Sequence, residues 1–275
     1  MLLGSSQIRE GIDAESLSLA LGNRRCLNLG LSGGTPTDML AVLADLDARA
    51  PNRHVVIGIS PQMFDREPKS PFLRFRDLPM AARMSPWSDG DPPDIARMLI
   101  SASLCNLSPT LRHKDSIVEL IDNLQGRMPD ALTFRLPPLP RFKSTHDRFL
   151  TDEDFRRRVA EIQSDEADEP REWMKLQRAA FLKLLRDESA RGNPVLIFDF
   201  PMRPGSDGIF GGELESSYRF FLDEGDGIPG VTMADAREFA GLDGRLFADV
   251  SHVNTTGRRV ITLRLASLLN RRAPR

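Results

Sequence analysis

The sequence predicts an α/β fold: a three-layer α/β/α sandwich around a mostly parallel sheet of about five strands, with a helical insertion. Three observations carry that prediction. Two continuous apolar runs, His54-Val-Val-Ile-Gly-Ile59 and Pro194-Val-Leu-Ile-Phe-Asp-Phe200, have the composition of strands buried on both faces. Two shorter runs, Met1-Leu-Leu and Cys26-Leu-Asn-Leu-Gly-Leu31, each lead into a glycine turn and then a helix-competent stretch. Amphipathic segments stand between the runs, so strand and helix patterns alternate.

In chain order, the first strand ends at Gly4 and a sharp turn presents Ser5 or Ser6 at the start of a helix. That places a hydroxyl at the carboxyl edge of the sheet, among the unpaired N–H groups of a helix N-terminus. Only three residues precede Gly4, whereas a strand usually has about five. Either the strand is short and pairs through two or three residues, or the natural chain begins further upstream. Residues 13–21 read as a short helix with Asp13 as cap, Leu17 and Leu21 on one face and Gly22 as stop. The run 26–31 is the second strand. Ser32-Gly33-Gly34-Thr35-Pro36-Thr37 then opens a helix over 38–50, whose Met39, Leu40, Val42, Leu43 and Leu46 form a broad apolar stripe. The third strand is 54–59, and Ser60-Pro61-Gln62 leaves the sheet.

The alternation lapses over 65–169, which reads as a largely helical insertion or cap within one domain spanning 1–275. Helices are expected over 94–105 and 116–124, an extended Pro-rich connector at 136–140, a charged stretch over 151–163 and an acidic linker over 164–169. Phe72 and Trp87 are packing anchors there or line a substrate or lipid-facing surface. A strong amphipathic helix follows over 170–191, with Trp173, Leu176, Ala180 and Leu184 on one face. The fourth strand is 194–200. Arg203 comes next at the sheet edge that carries Ser6 and Gly33, either touching an anionic or sugar substrate or standing as a solvated turn residue. A helix over 215–224, a short fifth strand at 231–233 and a closing helix over 262–270 complete the chain.

With 275 residues, 40% hydrophobic and 28% charged, the chain can bury an ordinary core. The formal net charge of −2 gives no sign of nucleic-acid binding. No stretch approaches the roughly 20 apolar residues that span a bilayer. Cys26 and Cys105 define neither a disulfide framework nor a metal site and read as small core residues. The compartment stays open: cytoplasmic as the sequence stands, exported or membrane-anchored if an N-terminal segment is missing.

The chemistry concentrates at the two ends. Asp249-Val-Ser-His252-Val-Asn254-Thr-Thr-Gly257 lies just before the final helix, and an Asp three residues ahead of a His can orient an imidazole toward a serine elsewhere in the fold. The plainer alternative is that Asp249 and His252 cap the last helix. Of the other histidines, His54 opens a strand at the opposite sheet edge, while His113 and His146 fall in the insertion.

Gly-x-Ser near the start, a Gly-rich turn after the second strand and Asp-x-x-His near the end together resemble the SGNH (GDSL-type) hydrolase family, over nearly the whole length. The resemblance implies a flavodoxin-like sandwich. Gly4-Ser5-Ser6 stands where the family has Gly-Asp-Ser, which makes Ser6 the nucleophile, and Gly33 in the second block donates its N–H to the oxyanion. Asp249 and His252 form the terminal block. The third block departs from the pattern, because Gly58-Ile-Ser-Pro-Gln62 replaces Gly-x-Asn-Asp. Ser60 or Gln62 donates in place of the asparagine, or the oxyanion hole has one donor fewer. The implied function is serine-dependent ester hydrolysis or acyl transfer on an O-acylated substrate, expected to be a carbohydrate. Gly-Ser-Ser is similar to relatives that handle acyl groups on cell-envelope polymers. The competing reading is a degenerate member that binds a glycan or acyl carrier without turnover. No cofactor and no metal are expected. The expected partners are a small acyl ester or acylated glycan and a membrane-associated acyl-transfer partner.

Overall fold

A computed structural model of the chain describes residues 1–46, 52–66, 150–166, 173–206, 209–234 and 239–272. The expected helices over 94–105 and 116–124, the connector at 136–140, and Phe72, Trp87, Cys105, His113 and His146 lie outside these residues.

Four parallel strands form the sheet: β1 (Leu2–Gly4), β2 (Val55–Ile59), β3 (Val195–Asp199) and β4 (Val231–Met233), in the order β1-β2-β3-β4. β1 pairs with β2 through three residues, Leu2 with Val56 to Gly4 with Gly58. The expected second strand is corrected. Residues 26–31 run beside β1 on its other side, but the contact is a single parallel bridge, Leu2 with Asn28. Three hydrogen bonds hold it: Leu2 N–H to Leu27 O, Leu29 N–H to Leu2 O, and Leu31 N–H to Gly4 O, at 2.8–2.9 Å. The Asn28 side chain ties the segment to the helix after β1. Its amide donates to the carbonyls of Ile8 and Ile12, both at 2.9 Å, and its Oδ1 accepts from Gly30 N–H at 3.0 Å. The segment is therefore recruited as a clamp on the helix beyond β1.

Counting that segment as an edge, the spatial order becomes 2-1-3-4-5, the flavodoxin-like arrangement. The strand order then reverses between β1 and β2, and ligand crevices of open α/β sheets lie at such a reversal.

Helices cover both faces. On one lie α1 (Ser6–Gly11), α2 (Ala14–Ala20) and α8 (Thr255–Arg272); on the other lie α3 (Pro36–Leu46), α4 (Gln62–Asp65), α6 (Met174–Ala190) and α7 (Gly212–Asp226). α5 (Asp152–Glu166) belongs to the end of the insertion. Strand residues divide by alternation. Leu3, Ile57 and Ile197 enter the α3–α6–α7 layer, whereas Leu2, Val56, Leu196 and Phe198 enter the α1–α2–α8 layer. In the first layer Phe64 meets Phe181 edge-to-face, with ring centroids 5.4 Å apart, a geometry worth about 0.5–1.5 kcal/mol beyond burial.

Local signals place several helix ends as expected. Asp13 caps α2, accepting from the N–H groups of Glu15 and Ser16. α6 begins later than residue 170, at Met174. The closing helix is longer than expected because it starts at Thr255. Asn254 caps it, accepting from Gly257 N–H at 3.0 Å, so Asp249 is not its cap. Cys26 is partly exposed rather than a core residue. At the amino edge, the buried Arg53 guanidinium forms a two-pronged ion pair with the fully buried Glu188 of α6, Nε to Oε2 at 2.9 Å and Nη2 to Oε1.

Candidate active site

The site is built on the turn after β1. Gly4 adopts φ +155°, and a Cβ there would lie 2.4 Å from Ile8 Cγ1 and 2.6 Å from Gly58 O. A Cβ on Gly58 would meet Ile8 Cδ1 at 2.0 Å. The paired glycines thus let α1 settle onto the sheet through Ile8, which fixes where the start of α1 points.

The choice between two serines is resolved here. Ser5 is buried and caps α1: its Oγ accepts from Gln7 N–H at 3.3 Å and donates to Gln7 Oε1 at 3.2 Å. Ser6, half-buried, is the first helical residue, and its Oγ lies 2.8 Å from His252 Nε2. The imidazole's other nitrogen, Nδ1, faces Asp249 Oδ2 at 2.9 Å and Oδ1 at 3.1 Å. The carboxylate fixes the tautomer, with Nδ1–H donating to Asp249 and Nε2 free to accept from Ser6. Chain ends 246 residues apart therefore meet in a serine–histidine–aspartate relay.

Neighbouring groups hold the relay in place. Asp249 Oδ1 accepts from the N–H groups of Ser251 at 2.8 Å and His252 at 2.7 Å, which curls the segment so that acid and imidazole share one side. Phe247 bridges Val253 in antiparallel fashion and closes the loop. Gln7 Nε2 donates to Ser251 O at 3.3 Å and ties this loop to α1. Sequence reasoning missed Gln7, for which adjacency to the serines is the one available signal. It also missed Glu10, one helical turn beyond Ser6 on α1 and thus on the same helix face.

The electrostatics suit a base. Burial pushes the Asp249 carboxyl up, but the hydrogen bond and charge of His252 and the two N–H donors outweigh it and hold the carboxyl below its ordinary range. Burial pushes the His252 imidazole down. The hydrogen bond and charge of Asp249 and the charge of Glu10 outweigh that, against an opposing push from Arg66, and its pKa lies above the ordinary 6.5.

The remaining expected site residues fall into two groups. Gly33 and Ser60 lie beside the serine turn. The glycine loop rests on that turn: Leu31 N–H bonds Gly4 O, and a Cβ on Gly34 would sit 2.9 Å from the same oxygen. Gly33 itself takes φ +57°, and among the described residues its N–H has no acceptor. Ser60 follows β2. Because Gly4 pairs with Gly58, Ser6 and Ser60 stand equally far past the last paired residues of adjacent strands. Ser60 is 2% exposed, and among the described residues its hydroxyl has no hydrogen-bond partner.

Gln62 and Arg203 are committed elsewhere. Gln62 begins α4, and its Oε1 accepts from Arg66 Nη2 at 3.1 Å. Arg203 is not a solvated turn residue. Its side chain is 3% exposed, donates to Leu150 O at 2.8 Å and Asp152 Oδ1 at 2.7 Å, and lies 4.4 Å over the Phe155 ring. It clamps the start of α5 to the loop after β3. Asp199 ends β3 at the same sheet edge but turns to the opposite face, where it accepts from Tyr218 Oη at 2.8 Å. His54 stands at the amino edge, exposed, with its carbonyl accepting from the Met1 amine.

Among the described residues, no three His, Cys, Asp or Glu side chains group so as to hold a metal ion. No described helix is long and apolar enough to cross a membrane. Comparison of the sequence with family models and with curated proteins gives no match.

Proposed function

We propose that the chain is a serine-dependent ester hydrolase or acyltransferase of SGNH-like type, acting on an O-acylated substrate, with an acylated carbohydrate as the favoured class. The observation that carries this reading is the 2.8 Å contact between Ser6 Oγ and His252 Nε2, with Asp249 on the far nitrogen.

In this mechanism Ser6 Oγ attacks the ester carbonyl carbon as its proton passes to His252 Nε2. Asp249 balances the imidazolium. The tetrahedral oxyanion is assigned to the Ser6 N–H, which has no intrahelical acceptor as the first residue of α1, and to the Gly33 N–H. The Ser60 hydroxyl replaces the missing asparagine as third donor. Collapse breaks the bond to the alcohol oxygen, which leaves with the proton from His252. Water, or the hydroxyl of an acceptor, then gives its proton to His252 and attacks the acyl-Ser6 carbonyl, and collapse returns that proton to Ser6. In the transfer reaction a membrane-associated acyl-transfer partner works with the chain.

The direct test is covalent labelling. A fluorophosphonate probe should modify Ser6, located by peptide mapping, and pretreatment with a sulfonyl fluoride should block it. A folded chain that takes no label at Ser6 would favour a module that binds glycan or acyl carrier without turnover.

Two further outcomes follow from the geometry. Ser60→Ala should slow the reaction roughly 10²–10³-fold, the usual effect of losing one oxyanion donor, while Gln62→Ala leaves it nearly unchanged. The base works as neutral imidazole, so kcat/KM should fall as pH drops through the raised pKa of His252. The acidic limb should thus be centred above the ordinary 6.5. Glu10→Gln removes a negative charge that favours the imidazolium, so the limb should move down. A limb that stays put in that variant would show that Glu10 does not act on His252.

A further inference from the structure

At the amino edge of the sheet, the opposite end from Ser6, lies a cavity of about 1210 Å³. Leu2, Val56 and Leu196, paired in register, back it from within the core, and its accessible apolar surface comes from the partly exposed Met1, Leu27 and Met233. Leu21, just past α2, and Leu269 of α8 contribute apolar walls. The exposed part of the lining carries three arginines. Arg24 and Arg25 follow α2, and Arg272 ends α8. Among the described residues, neither Arg24 nor Arg25 has an acidic partner. Arg272 donates to two neutral acceptors, Thr232 Oγ1 at 3.0 Å and Met233 O at 2.9 Å, and among the described residues it makes no ion pair. Arg53, also in the lining, is matched by Glu188. Asp226 is the acid among the described lining residues, and its Oδ1 accepts from Met233 N–H. The result is an apolar trough with an excess of positive charge.

We propose that this cavity binds a single-chain anionic amphiphile, a long-chain carboxylate, with its tail against the partly exposed Met1, Leu21, Leu27, Met233 and Leu269 and its head on the arginines. That apolar surface takes up methylene groups, each of which gains by leaving water. It offers nothing to a polar dianion such as a nucleotide diphosphate. A cationic head would meet Arg24, Arg25 and Arg272 and be repelled. The site shares no residue with the serine relay and does not depend on the proposed hydrolysis.

The test is isothermal titration of the whole chain with dodecanoate below its micelle concentration. Butanoate controls for the head alone, and dodecyltrimethylammonium for the tail alone. Saturable binding of one dodecanoate is expected, with no saturation by either control. Arg24→Glu/Arg25→Glu, two changes at exposed positions, should weaken dodecanoate roughly tenfold. Ser6→Ala should bind it as the wild type does, which separates this site from retention of an acyl product at the relay. Absence of saturable binding, equal binding of the two dodecyl compounds, or an unchanged affinity in the arginine variant would each overturn the proposal. Loss of binding in Ser6→Ala would also overturn it, by moving the ligand to the other edge.

Discussion

Ser6→Ala is expected to lower the initial rate on a chromogenic acetyl ester by roughly 10⁴-fold or more, with the fold unchanged. The fold should survive because Ser5, not Ser6, caps α1, and Ile8 supplies the apolar contact that seats the helix. His252→Ala should lose a similar factor. The double variant should be little worse than either, since nucleophile and base act as one unit. Asp249→Asn should be milder, because it disturbs the orientation and charge balance of the imidazole without removing the base. The rates need thermal unfolding of each variant beside them, so that lost activity is not confused with lost structure. Equal, negligible rates in wild type and Ser6→Ala, with affinity for acetylated oligosaccharide kept in both, would move the protein to the binding-module reading.

Glu188→Ala is expected to cost about 3–5 kcal/mol of stability, measured from urea unfolding. The carboxylate is fully buried and receives the Arg53 guanidinium, and it also accepts from Asn193 Nδ2 at 2.9 Å. Its removal takes a two-pronged counter-charge from a buried cation, and that desolvation penalty is the source of the loss. Replacing both partners together, Arg53→Met with Glu188→Leu, should recover most of it, because two well-packed apolar chains carry no such penalty. The pair sits at the amino edge and the relay at the carboxyl edge, so the folded fraction of Glu188→Ala should still label at Ser6. A loss below about 1 kcal/mol would place the pair among ion bridges that contribute little.

The relay was legible at the level of residue types. A glycine turn after an apolar run places a hydroxyl at a strand's carboxyl end, and an Asp three residues before a His folds back on its own backbone. Neither fact depends on the rest of the chain. The oxyanion side was less legible. Ser60 and Gln62 stand two residues apart after the same strand and read alike in sequence. In the structure the helix α4 begins between them, which takes Gln62 onto its own surface beside Arg66 and leaves Ser60 buried beside the turn.

What the sequence determined by itself were features set by neighbours a few residues apart. These include the Asp13 cap of α2, the runs that became β2 and β3, the three-residue pairing of β1, and the short β4. Caps, periodicity and continuous apolar runs act within one turn or one strand, so the local chain contains their causes. Tertiary structure decided what required a partner from far away. Arg203 finds Asp152 and Leu150 more than 50 residues earlier, and no local pattern announces such a clamp. Residues 26–31 carry a strand's composition, yet they pair with β1 through one bridge, and the Asn28 side chain reaches the carbonyls of Ile8 and Ile12, 16 to 20 residues earlier. Ser5 and Ser6 are identical in chemistry. Only the angle at which the Gly4–Gly58 contact seats α1 makes the first a cap and turns the second toward His252, because side-chain direction is fixed by packing.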